Sequence, residues 1–331
     1  MNIAHALENL DLGFPQTFRN LTVVPIVRRP RAGGEDEAPP YLTLEQATAR
    51  ELLFIRELPG AASVPELQAE NRGDLPVLLV DGDQLVGAKQ NRIINLTILV
   101  PPGKTIVIPV SCVEAGRWRV TSERFRPAEH TLYAQAKAEK LRHVSASLEA
   151  SGRATSDQGA VWHSIREKMA SMDAAAPTEA MADIYKRHEV SVEEYARAFP
   201  PVPGQVGAVF AINGHVAGLE LFSHPPMFAA HFLKTLRGFG LDAVDAAGNG
   251  HGASDGRAAR AFANEFLDAA ATSARTFPGV GLGETVRIDK GDVIGAALVV
   301  EGKAVHVTGF RKDYGSGDSR VFQRRSDPRS A

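Results

Sequence analysis

The chain has little of what most often announces a function. Among its 331 residues there is one cysteine, Cys112. No intrachain disulfide can form, and no cysteine-based structural zinc site can assemble within one chain. That usage suits a reducing compartment, so a cytoplasmic protein is expected. The ten histidines show no paired spacing of the HExxH kind, so no metal site is expected. An excess of one charge is missing too. The formal net charge is −2, which leaves no electrostatic footprint for nucleic acid or an anionic membrane. No apolar run approaches the ~18 residues that span a bilayer. The opening MNIAHALENLDLGFPQ lacks a basic segment followed by an apolar one, so no signal peptide is expected. Nucleotide loops are absent in their usual form. GNGHGASDG (248–256) precedes a helical pattern but carries no GK[ST], and reads as a connector. GVGLGE (279–284) runs into strand-like ETVRID, which is the wrong context for a dinucleotide loop.

What is present is an ordinary globular composition, 44% apolar and 23% charged, with changing periodicity along the chain. Residues 21–27 (LTVVPIV) read as a strand and 28–40 as a charged loop rich in Gly and Pro. Thr43 and Gln46 fit a capping box, which predicts a helix over about 43–56. PVLLV (76–80), IINLTILV (93–100), TIVIPVSC (105–112) and RWRV (117–120) read as strands, with Asp81-Gly82 as a hairpin turn. From 130 to 150 the composition turns helical. Further caps are expected at Ser156 or Asp157, at Thr178, and at Ser191 with Glu194. AFPPVPG (198–204) stops helix and marks a boundary. Beyond it come an Asn213-Gly214 hairpin (205–222), a helix from Pro225-Pro226 to Gly240 with Phe228, Phe232 and Leu236 on one face, a helix carrying Phe262 and Phe266, and three strands, the last two joined at Glu301-Gly302.

This order predicts an α+β protein. An antiparallel β-rich N-terminal half (15–125), sandwich-like or jelly-roll-like, leads to a helical segment (126–202). A hairpin–helix–helix–meander half follows (203–314), and a polar tail from 315 is expected to be disordered. The parts are expected to pack as one compact unit.

Candidate chemistry concentrates in DGDQLVGAKQNRIIN (81–95). Lys89, Gln90, Asn91 and Arg92, with Asn95, offer amides and a guanidinium fork suited to phosphate or sugar hydroxyls. The alternative is that these groups satisfy backbone atoms in a tight turn. In SCVEAGRW (111–118), alternation from Ile106 through Cys112 carries on to Glu114. There Glu114 is either a general acid/base held by Arg117 or Arg92, or part of a turn after the strand. Cys112 itself groups with isoleucines and reads as a small buried hydrophobe. Glu220 and His224 converge near a helix start and could act on a substrate or bind a metal. Surface positions are their plainer reading. Gln158 and Trp162 lie one helical turn apart and can orient a ring, or Trp162 can be core.

The run 81–118, with SDQGAVW (156–162) and INGHVAGLELF (212–222), resembles the ARG and Rhodanese-Phosphatase-superfamily-associated protein domain family over roughly residues 15–312. The polar positions matching its pattern are Gln84, Lys89, Gln90, Asn91, Arg92, Asn95, Cys112, Glu114, Arg117, Trp118, Gln158 and Trp162. The family brings no assigned activity. Its name implies an association with ADP-ribosyl and phosphatase chemistry. Three functions are therefore expected in competition. The first is a module binding a nucleotide-like or ADP-ribosyl ligand through Lys89, Gln90, Asn91, Arg92, Asn95, Arg117, Trp118, Gln158 and Trp162. The second is a hydrolase of such a ligand using Glu114. The third is a protein-interaction scaffold. No cofactor, protein partner or oligomeric state can be read from the sequence.

Overall fold

The computed structural model describes residues 10–29, 38–58, 65–117, 119–247, 252 and 256–314. Trp118, the polar tail from 315, residues 30–37 of the charged loop and most of GNGHGASDG lie outside them.

The fold is α+β, built on three antiparallel-rich sheets. The N-terminal half holds two small ones. One has three strands, in the order β10 (Ile98–Val100), β7 (Val77–Leu79), β4 (Leu42–Thr43). The other has six, in the order β12 (Arg126–Thr131), β8 (Asp83–Val86), β9 (Arg92–Ile94), β11 (Thr105–Cys112), β6 (Glu66–Asn71), β5 (Leu53–Glu57). The C-terminal half is organised by a nine-stranded sheet. Its path is β1 (Leu10–Leu12), β3 (Leu21–Arg28), β13 (Gln205–Ile212), β14 (His215–Phe222), β18 (Lys303–Arg311), β17 (Val293–Val300), β16 (Glu284–Lys290), β15 (Arg275–Pro278). Strand β2 (Gln16–Phe18) also pairs with β3. Strand β3 comes early in the chain yet pairs with β13, so the large sheet draws in the N-terminal segment.

Seven helices are described: α1 (Leu44–Ala49), α2 (Ala134–Ser151), α3 (Gln158–Ser171), α4 (Met181–Arg187), α5 (Glu189–Arg197), α6 (Pro225–Asp245) and α7 (Gly256–Ser273). Helix α6 covers one face of the large sheet, where Phe210 and Phe239 stack with centroids 4.1 Å apart. Helix α7 covers the other, with Phe262 and Phe266 packed among Val209, Val299 and Val307. Helix α2 lies where the two halves meet. Its Ala138 and Leu141 join the core around α6, while Val144 and Leu148 join the core of the N-terminal sheets.

Several local expectations hold for local reasons. Thr43 and Gln46 form the capping box, and Asp157 caps α3 by accepting the Ala160 N–H at 3.0 Å. Asn213 and Gly214 both take positive φ (51° and 84°) and close the β13–β14 hairpin, and Glu301-Gly302 closes β17–β18 the same way.

Others are overturned. Helix α1 ends at Ala49, and Leu53–Glu57 is strand β5 paired with β6, because Leu53 and Ile55 belong to the sheet core. Asp81-Gly82 is not a hairpin turn between paired strands. It carries the chain from β7 in one sheet to β8 in another. IINLTILV is likewise two strands in two sheets, broken at Asn95–Thr97. Of the expected RWRV strand, Arg117, Arg119 and Val120 lie in no strand, and Trp118 is outside the described residues. Glu114 instead bridges Ala180, and the Gly116 N–H bonds the Thr178 carbonyl; Thr178 caps no helix. Helix α4 starts after Ala180, and α5 follows His188 without a Ser191 capping box. Helix α6 runs through Gly240 to Asp245.

Candidate functional site

The 81–118 run folds back on itself. After β8, Gly87 and Ala88 take positive φ (143° and 44°), so the chain loops sharply before β9. The loop lies against the end of β11, and the two are laced together by their side chains. Gln90 Nε2 donates to the Glu114 carbonyl at 2.9 Å, while its Oε1 accepts from Arg92 Nη1 at 3.1 Å and from the Cys112 thiol at 3.2 Å. Glu114 is 5% exposed. One of its oxygens accepts Arg117 Nε at 2.8 Å, and the other lies 2.7 Å from Arg117 Nη2 and accepts the Asn91 backbone N–H at 3.1 Å. Arg117 spends its remaining donors on the Ala88 carbonyl, Thr121 and Asn91 Oδ1. Gln158, at the start of α3, takes both backbone groups of Cys112, accepting its N–H at 2.7 Å and donating to its carbonyl at 2.9 Å.

The structure therefore brings Gln90, Asn91, Arg92, Glu114, Arg117, Cys112 and Gln158 into one cluster. It is a clamp: each amide bonds backbone or another clamp side chain. Asn95 stands one step away, donating to the Ala154 carbonyl and accepting from Ser111. Lys89 points outward to Glu57, 3.4 Å away. Trp162 is half-buried, its indole N–H unpartnered among the described residues. Burial pushes the Cys112 thiol up to about 11, against the pull of Arg92, so it is a poor nucleophile at neutral pH. Burial also lowers the pKa of Arg92.

A second cluster lies between the two halves, and sequence reasoning touched only one member. Glu220 on β14 is 2% exposed. It ion-pairs with Lys137 of α2 and accepts from Thr308 at 2.9 Å and His306 Nε2 at 2.8 Å. Burial would raise the Glu220 pKa, but Lys137 and His306 outweigh it and hold the carboxyl down at about 2. Burial lowers the pKa of His306 despite Glu220, so the imidazole is neutral and its contact with Glu220 is a hydrogen bond. The partners then set the tautomer: Nε2–H faces Glu220, and Nδ1 accepts from Thr97 at 2.8 Å. Thr97 in turn accepts the Asp81 N–H.

Beside this, Lys140 is ion-paired with Asp81 and donates to the carbonyls of Ile94 and Asn95, where the IINLTILV run breaks. Burial brings the Lys140 pKa down to about 8, against the pull of Asp81. Asp83, His231, Lys234 and Glu45 complete the cluster. His231 Nε2 is 3.4 Å from Asp83, and Lys234 bonds Glu45 and sits 3.6 Å from Asp83. Glu45, Asp83 and His231 are metal-ligand types with ligand atoms within 4.8 Å of one another. Burial works against a charged Lys234, but Asp83 and Glu45 outweigh it and raise its pKa, so the cation among these groups is the chain's own ammonium. A crevice of about 10 Å3, room for one water, opens among Asp81, Thr131, Lys137, Glu220 and His231.

Glu220 and His224, paired in the sequence reading, do not meet. His224 instead sits with Ser223 and Tyr41 at the start of α6. The missed residues did leave a signal. Lys137 and Lys140 share the apolar stripe of Leu141 and Val144, and His231 and Lys234 share that of Met227, Gly238 and Leu241. A charge inside an apolar stripe is a buried charge that needs a partner. A separate cleft of about 240 Å3, lined by Met172, Asp173, Arg187, His188 and Asp245, contains none of the residues singled out.

No helix among the described residues is long and apolar enough to cross a membrane. No curated protein and no solved structure matches the chain. One family model does match, over residues 9–310, and it spans both the clamp and the buried charge cluster. On that match the chain belongs to the family of the ARG and Rhodanese-Phosphatase-superfamily-associated Protein domain.

Proposed function

We propose that the protein is a protein-interaction scaffold, and that the 81–118 signature builds this scaffold without gripping or hydrolysing a nucleotide-like ligand. The observation that supports this reading is the state of Glu114. A general acid or base must reach a substrate proton directly or through one water. Both oxygens of Glu114 are already engaged by Arg117 and the Asn91 N–H. Of the two guanidiniums in the cluster, Arg117 is committed to Glu114 and to the loop at 88–91, and Arg92 is buried and bonds Gln90. The amides of Gln90, Asn95 and Gln158 are spent in the same way.

The test pairs a ligand panel with two variants. Thermal unfolding is followed with ADP-ribose and common nucleotides up to millimolar concentration, and release of ADP-ribose from a modified peptide is assayed. The scaffold reading expects no saturable shift and no turnover. It also expects Glu114→Gln to melt lower than the parent, since Arg117 loses its carboxylate. A saturable stabilisation by ADP-ribose that disappears in Arg117→Gln, or turnover that disappears in a folded Glu114→Gln, refutes it.

A further inference from the structure

We infer that Arg287 is the receptor for a small, singly charged anion held between the two halves of the protein. Arg287 lies on β16 and is 2% exposed. Its Nε, Nη1 and Nη2 are all buried, and none has a hydrogen-bond partner among the described residues. A guanidinium carries five N–H donors, and buried donors are paired in nearly all native structures. No nearby carboxylate among the described residues bonds it. Arg287 and Lys140 are both cations, and Asp81 is the carboxylate that interacts with both. Asp81 gives one oxygen to Lys140, and its other oxygen has no partner. Over the whole cluster four carboxylates (Asp81, Glu220, Asp83 and Glu45) meet four cations (Lys140, Lys137, Lys234 and Arg287), and Arg287 is the cation whose nitrogens none of them bonds.

Burial brings the Arg287 pKa down to about 10, so the group is still charged at neutral pH. Strand register gives the site its shape. Arg287 is paired with Ala296 of β17 on one side and with Arg275 of β15 on the other, and Ala296 in turn with Thr308, so the neighbours toward β18 are short. A buried guanidinium with none of its nitrogens bonded suits a halide or a small monovalent oxyanion. A doubly charged phosphoryl group would bring more charge than one guanidinium offsets.

The experiment measures melting temperature at constant ionic strength while sodium gluconate is replaced by sodium chloride, bromide or nitrate, with inorganic phosphate as a separate arm. The parent protein is expected to gain several degrees, saturably, in the small anions and nothing in gluconate. Arg287→Met is expected to lose that dependence. Because the variant can fail to fold, parent crystals soaked in bromide give an independent readout, with an anomalous peak expected against the Arg287 guanidinium. Equal melting in chloride and gluconate overturns the inference. So does a dependence retained in Arg287→Met, a bromide peak only at the surface, or stabilisation by phosphate alone.

Discussion

Glu220→Gln tests the buried charge cluster most directly. The substitution keeps the size of the side chain and removes its charge. Lys137 is then left inside with an amide where it had a carboxylate. Removing one partner of a buried ion pair costs roughly 3–5 kcal/mol, most of it the penalty of the stranded charge. Proton linkage gives a second estimate. The Glu220 carboxyl moves from 4.5 to about 2 in the fold. At ~1.36 kcal/mol per pH unit, that is about 3 kcal/mol. The two routes agree in size. For a chain of this length unfolding entropy is about 0.7 kcal/mol per degree, so melting should fall by about 4–7 °C at pH 7.

The sign of the pH dependence follows from the direction of the shift. A carboxyl depressed by folding stabilises fully above its unfolded value of 4.5, and that stability is lost as pH falls toward 2. The parent should therefore weaken steeply between pH 4.5 and 2, and Glu220→Gln should weaken less there. Adding Lys137→Met removes the stranded charge, so the double variant should recover much of the loss. The assay is urea and thermal unfolding of the parent, the two single variants and the double variant at pH 7, 4.5 and 3. A Glu220→Gln protein within about 1 kcal/mol of the parent at pH 7, with an unchanged acid slope, would mean that Glu220 and Lys137 are not a buried pair.

Three further outcomes can be checked. Burial, with Arg237 and Lys234 nearby, lowers His130 to about 4, and the ring stacks on Tyr185 at 4.1 Å. Stability from keeping this imidazole neutral is present above 6.5 and lost as pH falls toward 4; His130→Phe should flatten that interval, as read by melting temperature against pH. Cys112 should react with a disulfide reagent at pH 8 only on the timescale of unfolding, because its thiol titrates near 11; stoichiometric labelling within seconds in native buffer would contradict its burial. Gly281→Ala should destabilise by about 1–3 kcal/mol, since a Cβ there would lie 2.2 Å from the Leu99 carbonyl oxygen, where the Leu282 N–H ties the C-terminal half to β10; a loss below 0.5 kcal/mol in urea titration would show that this junction can give way.

The features that the sequence announced correctly are those decided within a few residues. The Asn213-Gly214 and Glu301-Gly302 turns are set by which side chains tolerate positive φ. The Thr43–Gln46 box and the Asp157 cap are set by the reach of a side chain to a backbone N–H three residues on. The phenylalanine faces of α6 and α7 follow from a period of 3.6. Arg117 as the partner of Glu114 was legible as one of two choices, because it lies three residues on; that Gln90 and Asn91 join them was not.

Other features were decided only when distant segments met. Strand β3 joined β13 across some 180 residues, and IINLTILV divided between two sheets, since β propensity names a strand but not its partner. Glu114 read as either acid/base or turn until its oxygens were seen on Arg117 and Asn91. Glu220 suggested His224 as a partner, four residues on. It took His306 and Lys137 instead, 86 and 83 residues away. A side chain advertises its own charge in the sequence. Whether that charge is matched, as at Glu220, or left without a bonded partner among the described residues, as at Arg287, depends on which groups packing brings within a few ångströms in a low-dielectric interior.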